Sequence, residues 1–424
     1  MLVTRAVPSV PLSEDEMYST VIFAAGFLIL LVGGGARFAI GLTFKPMVTE
    51  FGWARGELGL AVGVYLVISA FATSFAGRMA DRTSPRLLLT GGVIISGLGI
   101  GLMCFVGQPW HALLLYGIVF GVGNGLASLT PVGVMVTHAF PRRTGFANAA
   151  VISGTSVGQL IMIAVLAALL TQIGWRSVFV WLGLVHLALI PFLLLALPRR
   201  VEHHAVVAER GGLSVSAAMR TWRFWLLLTI YAICGLDDFF VATHVVPFAL
   251  DRGADTLVAG NLLALMGLTG LIGLLATGLT SDRIGPVWTT ALAFAARVAV
   301  FGLIAIDQST LSIAIFALVF GATFLVTAPL VVLFVRDNFG IAHLGALAGL
   351  ITMVHQIFGG IGAYGGALIF DATGTYDAAF ILVLAASVLA LVLTLMMRTL
   401  TPLRSCDEAH SLNLTGQCNS TTRP

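Results

Sequence analysis

Several ionisable side chains lie inside long apolar stretches of this 424-residue sequence. A charge in such surroundings is costly, so each one is by default a candidate for ion or substrate chemistry. Arg37 is a cation that could hold a carboxylate through a two-pronged hydrogen bond. The alternative for Arg37 is a structural pair with an acidic residue. We interpret Arg37 as a candidate substrate-binding residue.

Two adjacent aspartates, Asp237 and Asp238, share a later apolar stretch with His244. Asp237 and His244 are seven residues apart, about two helical turns, and therefore share a face, whereas Asp238 points away from that face. We hypothesise that one aspartate pairs with Arg37 and that the other, or His244, takes up and releases a proton. An ordinary ion pair between helices is the alternative.

Other polar side chains recur at helical spacing in further apolar stretches. The candidates for hydrogen bonds to a small ligand are Asn124, Ser128, His244, Thr323, Thr327, His355 and Gln356. Hydrogen bonding between neighbouring helices is an equally good account of Asn124 with Ser128 and of Thr323 with Thr327. Arg297 and His186 also lie in apolar stretches, and we interpret both as structural, with Arg297 locally paired or reaching towards the membrane surface.

The sequence shows no pattern typical of an enzyme. No nucleophile–base pair, metal-ligand cluster or nucleotide-binding motif stands out. The four cysteines are divided between apolar stretches (Cys104, Cys234) and a polar tail (Cys406, Cys418), which disfavours a disulfide framework or a metal site. We therefore expect no catalysis, no cofactor, no metal and no nucleic-acid partner.

The elements that must position these residues are membrane-spanning helices. The chain is 58% hydrophobic and 10% charged, whereas a soluble domain carries about 25% charged residues. Apolar blocks of the length needed to span a bilayer recur, and alternating barrel strands are absent from the sequence. The predicted spans are 18–42, 57–76, 86–106, 112–138, 145–170, 177–197, 224–248, 257–278, 287–306, 311–334, 345–369 and 378–397.

The basic residues predict the orientation of these spans. Of the 22 lysines and arginines, sixteen fall in segments on the side of the two termini, four fall in loops on the other side, and Arg37 and Arg297 lie inside spans. Positive residues concentrate on the cytoplasmic side, so both termini are predicted to be cytoplasmic. The predicted organisation is a tail (1–17), a six-helix bundle (18–197), a linker (198–223), a second six-helix bundle (224–398) and a tail (399–424).

The two bundles are related by an internal duplication with an offset of about 200 residues. Phe120-Gly121 recurs as Phe320-Gly321, and Gly174 recurs as Gly374. Offsets of 200 and 201 align Arg37 with Asp237 and Asp238 respectively. The matches fall at the same offset throughout the chain, which indicates two related halves.

The chain resembles the major facilitator superfamily of transporters over nearly its whole length. The resemblance is carried by the segment from Gly77 to Arg86 after the second span, and by a weaker copy that begins at Gly278. It implies an all-α fold of two pseudo-symmetric six-helix halves, with the substrate site between them. It also implies a cytoplasmic gate motif, whose candidate residues are Gly77, Asp81, Arg82, Arg86, Asp282 and Arg283.

A narrower resemblance is to the monocarboxylate and oxalate–formate group of that superfamily. It rests on Arg37, on Phe51-Gly-Trp53-Ala-Arg55, and on Thr243-His244 followed by Asp251-Arg-Gly253. This resemblance implies a monomeric multi-pass protein of the inner membrane that moves a small organic anion by proton symport or by anion exchange.

The sequence is also compatible with two other functions. The pair of acids in the seventh span would suit a transporter that exports drugs or organic cations in exchange for protons. The fifth span, however, lacks the glycine–proline signature of drug–proton antiporters. A membrane receptor that senses a ligand without moving it is a further alternative, although the sequence carries no appended signalling domain.

Overall fold

The long apolar stretches form helices in the computed structural model, which describes residues 14–80, 83–140, 144–199, 212–340 and 343–399. A 3₁₀ segment (Leu102–Phe105) and a π-helical segment (Leu113–Phe120) lie between α-helices of the first half. The α-helices are α1 (Glu14–Phe51), α2 (Arg55–Ala80), α3 (Pro85–Gly101), α4 (Pro109–Ala112), α5 (Gly121–Leu126), α6 (Leu129–Ala139), α7 (Thr144–Ala196), α8 (Val215–Met219), α9 (Trp222–Asp251), α10 (Thr256–Ile306), α11 (Thr310–Phe324), α12 (Thr327–Phe339), α13 (Leu344–Thr373) and α14 (Asp377–Thr399).

The lengths of these helices account for twelve membrane crossings. Ten helical stretches of the described ranges are long and apolar enough to span a bilayer. Two of them, Ala150–Ala196 and Thr256–Ile306, contain 47 and 51 residues, more than twice the length that one crossing needs. Each is interrupted by a glycine with positive φ, 76° at Gly174 and 83° at Gly285, so each makes two crossings. The prediction of an all-α protein with twelve spans is confirmed.

The two halves have helix ends and breaks at equivalent positions, as the internal duplication predicts. Helices α1 and α9 both end just before a glycine with positive φ, 66° at Gly52 and 85° at Gly253. The fourth crossing is interrupted between α5 and α6, and the tenth is interrupted between α11 and α12. Ser128 immediately precedes α6 and Thr327 begins α12, so two polar candidates of the sequence lie at equivalent breaks.

The two halves of the bundle meet along a seam at which α1 packs against α9, α2 against α13, and α7 against α10. Small residues let the backbones approach closely there. A methyl group on Gly59 would lie 2.6 Å from the Cβ atom of Ala367, and one on Gly63 would lie 3.2 Å from the carbonyl oxygen of Gly360. The helices that carry Arg37, the two aspartates and His355 all border this seam.

Part of the predicted linker is folded. Leu213 donates its backbone N–H to the carbonyl of Phe339 at 2.9 Å, and the Ser214 hydroxyl accepts from the N–H of Ala217 at the start of α8. The first contact ties the linker to the end of α12, and the second caps α8 within the linker. Residues 200–211 of the linker, most of the two predicted tails, and Asp81 and Arg82 of the predicted gate motif lie outside the described residues.

Candidate functional site

Arg37 lies in the middle of α1, where it is half-buried and lines a small cavity of about 10 Å³. Its guanidinium carbon lies 4.4 Å from the ring centre of Phe239 on α9 and 5.7 Å from that of Phe38. Tyr65 and Tyr116 complete the aromatic surroundings, and the Tyr116 hydroxyl donates to the backbone carbonyl of Arg37 at 3.0 Å. The cation is therefore held by aromatic rings, which attract it through their faces.

No carboxylate neutralises Arg37 within the ranges that the structure describes. The buried Nε atom of Arg37 has no hydrogen-bond partner there, and no ion pair involves this side chain. A half-buried guanidinium without a counter-ion is ready to accept an anion through charge-assisted hydrogen bonds. The guanidinium can therefore pair with one carboxylate, and the cavity of about 10 Å³, which has room for about one water molecule, must widen to admit it.

The two aspartates of α9 bind a different arginine. Arg297 of α10 contacts the Asp238 Oδ1 atom through Nη2 at 2.7 Å and lies 3.9 Å from the Asp237 Oδ2 atom through Nη1. All three side chains are at least 98% buried. Arg297 also donates from Nε to the Thr323 hydroxyl at 3.1 Å and from Nη2 to the Thr323 carbonyl at 3.1 Å. One cation is therefore shared between two carboxylates.

The hypothesis that one aspartate pairs with Arg37 is wrong in this structure. The error arose because the repeat offset aligns Arg37 with the aspartates, whereas pairing depends on which helices are neighbours. Arg297, which we interpreted as structural and either locally paired or reaching towards the membrane surface, is paired and lies at the centre of the buried network. The sequence did contain a relevant signal. It places two arginines, Arg37 and Arg297, inside spans, so Arg297 was the other available cation for the two aspartates.

His355 of α13 extends this network to a more accessible position. Its Nε2 atom lies 3.1 Å from the Asp238 Oδ2 atom, and its side chain is 17% exposed. Asp237 accepts a short hydrogen bond of 2.6 Å from the Ser387 hydroxyl of α14. The network therefore links four helices of the second half, α9, α10, α13 and α14, and has one partly exposed member that could exchange protons.

Cys234 joins the same cluster. Its Sγ atom lies 3.5 Å from Asp238 Oδ2 and 3.4 Å from the Thr327 hydroxyl. The donor atoms of Cys234, Asp238 and His355 lie within 4.8 Å of one another, a spacing that a metal ion could use. Arg297 already supplies a cation to Asp238 and donates to Cys234 at 3.5 Å, so hydrogen bonds and an ion pair account for every one of these contacts.

The remaining polar candidates are placed differently from one another. Asn124 accepts a hydrogen bond of 2.9 Å from the Tyr65 hydroxyl beside Arg37, whereas the buried Ser128 hydroxyl has no partner within the described part of the chain. Thr323 and Thr327 are occupied by Arg297 and Cys234. Gln356 follows His355 on α13 and is half-buried. Only Asn124 is thus brought into the immediate surroundings of Arg37.

His244 lies towards the end of α9, in a fully buried site of its own. Its Nε2 atom lies 2.8 Å from the carbonyl of Ala363, so this nitrogen must donate, and its Nδ1 atom accepts from the Tyr376 hydroxyl at 3.0 Å. Tyr376 in turn accepts from Arg55 at 2.7 Å. Burial raises the pKa of Tyr376, which keeps this hydroxyl protonated and able to donate. His244 is therefore separated in its contacts from both Arg37 and the aspartates.

The described part of the gate motif packs within its own half. Arg86 donates from Nε to the carbonyl of Leu197 at 2.8 Å, which ties the start of α3 to the end of α7. A methyl group on Gly77 would lie 3.0 Å from the Thr130 methyl group of α6, so this glycine allows close packing. Asp282 and Arg283 lie exposed on α10, just before the break at Gly285.

Comparison with known proteins gives a family match. The sequence model described as Major Facilitator Superfamily matches residues 26–363 and 227–411. Monocarboxylate transporter 13 of Bos taurus is 24% identical over 368 residues, which cover 85% of this chain and 84% of the relative. The uncharacterised MFS-type transporter YcxA of Bacillus subtilis is 24% identical over 349 residues, which cover 78% and 83%.

Comparison with solved structures gives the same fold. The crystal structure of a bacterial homologue of the human lysosomal transporter Spinster, in an inward-facing and occupied conformation, superposes with a TM-score of 0.75. The match covers 90% of this chain and 97% of that one, at 16% sequence identity. At that identity the likeness concerns the arrangement of helices alone.

Proposed function

The chain belongs to the Major Facilitator Superfamily of membrane transporters, and from this membership we propose that it carries small organic anions across the membrane. The proposed substrates are monocarboxylate-like, and Arg37 is the proposed binding residue. Several similar proteins are named monocarboxylate transporters, which supports this substrate class. The excess of basic residues in the segments on the side of the two termini supports an inner-membrane protein with both termini in the cytoplasm.

One observation carries the proposal: among the residues that the structure describes, no acidic side chain pairs with Arg37, a cation that lies between the two halves of the bundle. The other intramembrane arginine of the described ranges, Arg297, has two aspartates around it. An anionic substrate would supply the missing charge to Arg37, and Phe239, Tyr65 and Tyr116 would surround its apolar body. Such a site binds an anion at the seam, where a carrier of two halves must hold its cargo.

We further propose that the network of Asp237, Asp238, Arg297 and His355 carries the coupling proton. Two carboxylates share one guanidinium, so one negative charge stays uncompensated unless a proton binds to a carboxylate or to His355. His355 is the accessible member and lies edge-on to Phe239 with ring centres 5.9 Å apart. Phe239 thus contacts both the proposed anion site and the proposed proton site. Through this ring, binding of the anion at Arg37 could influence binding of the proton at His355, and the reverse.

The test is uptake into liposomes that contain the purified protein. An inward proton gradient would be applied, and a labelled panel would include lactate, pyruvate, oxalate, formate, benzoate and the lipophilic cation tetraphenylphosphonium. We expect saturable uptake of one or more carboxylates that is lost on adding a protonophore. Uptake driven by an opposite gradient of unlabelled anion, and insensitive to the protonophore, would indicate exchange instead of symport.

The same panel separates the alternatives. Uptake of the cation alone would contradict the proposal and would favour export of organic cations, with Asp237 as the binding acid, since its buried Oδ1 atom has no hydrogen-bond partner among the described residues. Binding of a carboxylate without any flux would favour a receptor. Carboxylate uptake that survives Arg37→Ala would support the transport of carboxylates but would show that Arg37 is not the binding residue.

A further inference from the structure

A cluster of four charged residues joins the two halves at the end of the bundle where α2 begins and α9 and α13 end. Lys45 and Arg55 belong to the first half, and Asp251 and Asp371 belong to the second. Asp251 receives Lys45 at 2.8 Å on one carboxylate oxygen and Arg55 at 2.6 Å on the other. Both contacts therefore cross the seam. The distribution of basic residues places this end on the outer face of the membrane.

Asp371 binds the first half in a second way. Its Oδ1 and Oδ2 atoms accept from the backbone N–H groups of Arg55 and Gly56 at 2.8 and 2.6 Å. These two N–H groups open helix α2 and have no partner inside the helix. A carboxylate is favoured there by the partial positive charge of a helix N-terminus. The last turn of α13 thus caps the first turn of α2 across the seam.

Arg55 is the centre of these contacts and is only 7% exposed. Besides its bond to Asp251, its guanidinium lies 3.6 Å from the ring centre of Phe370 and donates to the Tyr376 hydroxyl at 2.7 Å. Exposed ion pairs contribute little, whereas buried charge-assisted bonds are strong and depend on every partner. The cluster is therefore built around one buried guanidinium, whereas the side chains of Lys45 and Asp251 are half-buried and Asp371 is exposed.

Two other ion pairs at the same end provide a comparison. Glu50 binds Arg176 within the first half, and Arg252 binds Asp377 within the second half at 3.3 Å. All four of these side chains are at least 38% exposed. Neither pair needs to break when the halves separate. The buried Arg55 and the ion pairs across the seam thus belong to the same cluster.

We propose that Lys45, Arg55, Asp251 and Asp371 form an outer latch, which holds this end of the bundle closed and must release when the halves part there. The strength of the latch sets the balance between the conformation closed at this end and the one open at it. Tyr376 and His244 support the latch as positioning residues, since they fix Arg55 from the second half. This inference concerns the conformational equilibrium and holds for any substrate.

The experiment measures how often the seam opens, without any transported substrate. Ala367 is fully buried against Gly59 across the seam, so Ala367→Cys places a thiol that a membrane-impermeant maleimide reaches only when this end opens. The reporter would be labelled in proteoliposomes, and the background from the native cysteines would be measured in protein without the reporter. We would compare Asp371→Asn, which removes the charge of the cap, with Asp377→Asn, which removes the charge of the pair within one half.

We expect Asp371→Asn to raise the labelling rate roughly threefold to tenfold, because the exposed carboxylate caps two N–H groups at the start of α2 and its charge is favoured there. Asp377→Asn should leave the rate unchanged. Equal rates in all three proteins would overturn the proposal, and so would an equal rise in both variants, since that would show general loosening.

If Asp371→Asn does not fold, Lys45→Met decides the question. The Lys45 side chain is 32% exposed, so its loss is tolerable for folding, yet its bond to Asp251 crosses the seam. We expect a several-fold rise in labelling for Lys45→Met, and no rise would overturn the proposal. The readout needs no anion transport, so a failure of the latch and a failure of the transport proposal are distinguishable.

Discussion

Arg297 and Asp238 form an ion pair that is almost completely buried, with 2.7 Å between Nη2 and Oδ1 and side-chain exposures of 1% and 2%. Asp237 lies within 3.9 Å of the same guanidinium. Removing one partner of a buried pair leaves an uncompensated charge, which is far more costly than the loss of an exposed pair. The stability of the second half therefore depends on Arg297.

Arg297→Met should destabilise the protein by about 3–5 kcal/mol, because two buried carboxylates would lose their cation. Thermal unfolding in detergent would measure this change. The matched control is Arg176→Met, which removes an exposed arginine from its pair with Glu50 and should cost at most about 1 kcal/mol. A similar stability for both variants would contradict the structural role of Arg297. Adding Asp237→Asn and Asp238→Asn to Arg297→Met should restore much of the loss.

Arg37→Ala should abolish uptake of the transported carboxylate while thermal stability changes little, because no carboxylate depends on Arg37 in the described part of the chain. Arg37→Lys keeps the charge but loses the two-pronged geometry, so uptake should fall by roughly ten- to hundredfold. Initial uptake rates over a range of substrate concentrations would measure both effects. Unchanged uptake by Arg37→Ala would remove this residue from the binding site.

Asp238→Asn should remove the dependence of uptake on external pH, because the carboxylate next to His355 would no longer bind a proton. Counterflow of labelled and unlabelled substrate at equal pH should survive, since it needs no net proton movement. Ser387→Ala serves as the comparison, because it removes a hydrogen bond to Asp237 and leaves both carboxylates in place. Full pH dependence in both Asp237→Asn and Asp238→Asn would show that the network is structural only.

Gly235→Ala should destabilise the second half by roughly 1–3 kcal/mol or more, because a methyl group there would overlap the carbonyl oxygen of His355. The helices α9 and α13 would have to separate beside the buried network. Gly349→Ala on α13 is the matched control, since no atom of the described residues lies within 4 Å of the added methyl group. That change should be neutral or slightly stabilising in a helix. Equal melting temperatures for the two variants would contradict the close packing of α9 and α13.

Asp307, which lies between α10 and α11 outside the membrane spans, should contribute a stability that depends on pH. Hydrogen bonds from Ser312 and Ser309 lower the pKa of this carboxyl in the folded protein. A lowered folded-state pKa stabilises the protein above the unfolded-state pKa, and this contribution is lost as the pH falls through the folded-state value. Asp307→Ala should thus lower the melting temperature at pH 7 and have no effect at a pH below both values. A difference that persists at low pH would exclude this explanation.

The long-range organisation could be read from the sequence because it depends on properties of single segments. Apolar length predicted the crossings, and the glycines that end α1 and α9, Gly52 and Gly253, recur at the repeat offset. The breaks at Gly174 and Gly285 fall between predicted spans. Both are glycines because a sharp turn with positive φ favours that residue. Such signals do not depend on which helices become neighbours.

The candidate site was only partly predictable for the opposite reason. Arg37, Asp237, Asp238 and His355 were identified as costly charges in apolar stretches, but their partners depend on the packing of distant helices. Arg297 is 59 residues from Asp238 in the sequence and meets it through the contact of α9 with α10. The repeat alignment relates residues by ancestry and not by contact, so it suggested the wrong pair.

Glu50 and Asp251 occupy the same position in the two repeats, yet Glu50 binds inside its own half and Asp251 binds the opposite half. The repeat counterparts of Lys45 and Arg55 in the second half are Val246 and Thr256, which carry no charge. Two copies of the second half would therefore bring acids together without a cation between them. After the duplication, the two halves have thus diverged at this interface: the first half supplies the basic residues and the second half supplies the acidic ones. We expect the halves, if produced as separate polypeptides, to recognise each other rather than copies of themselves.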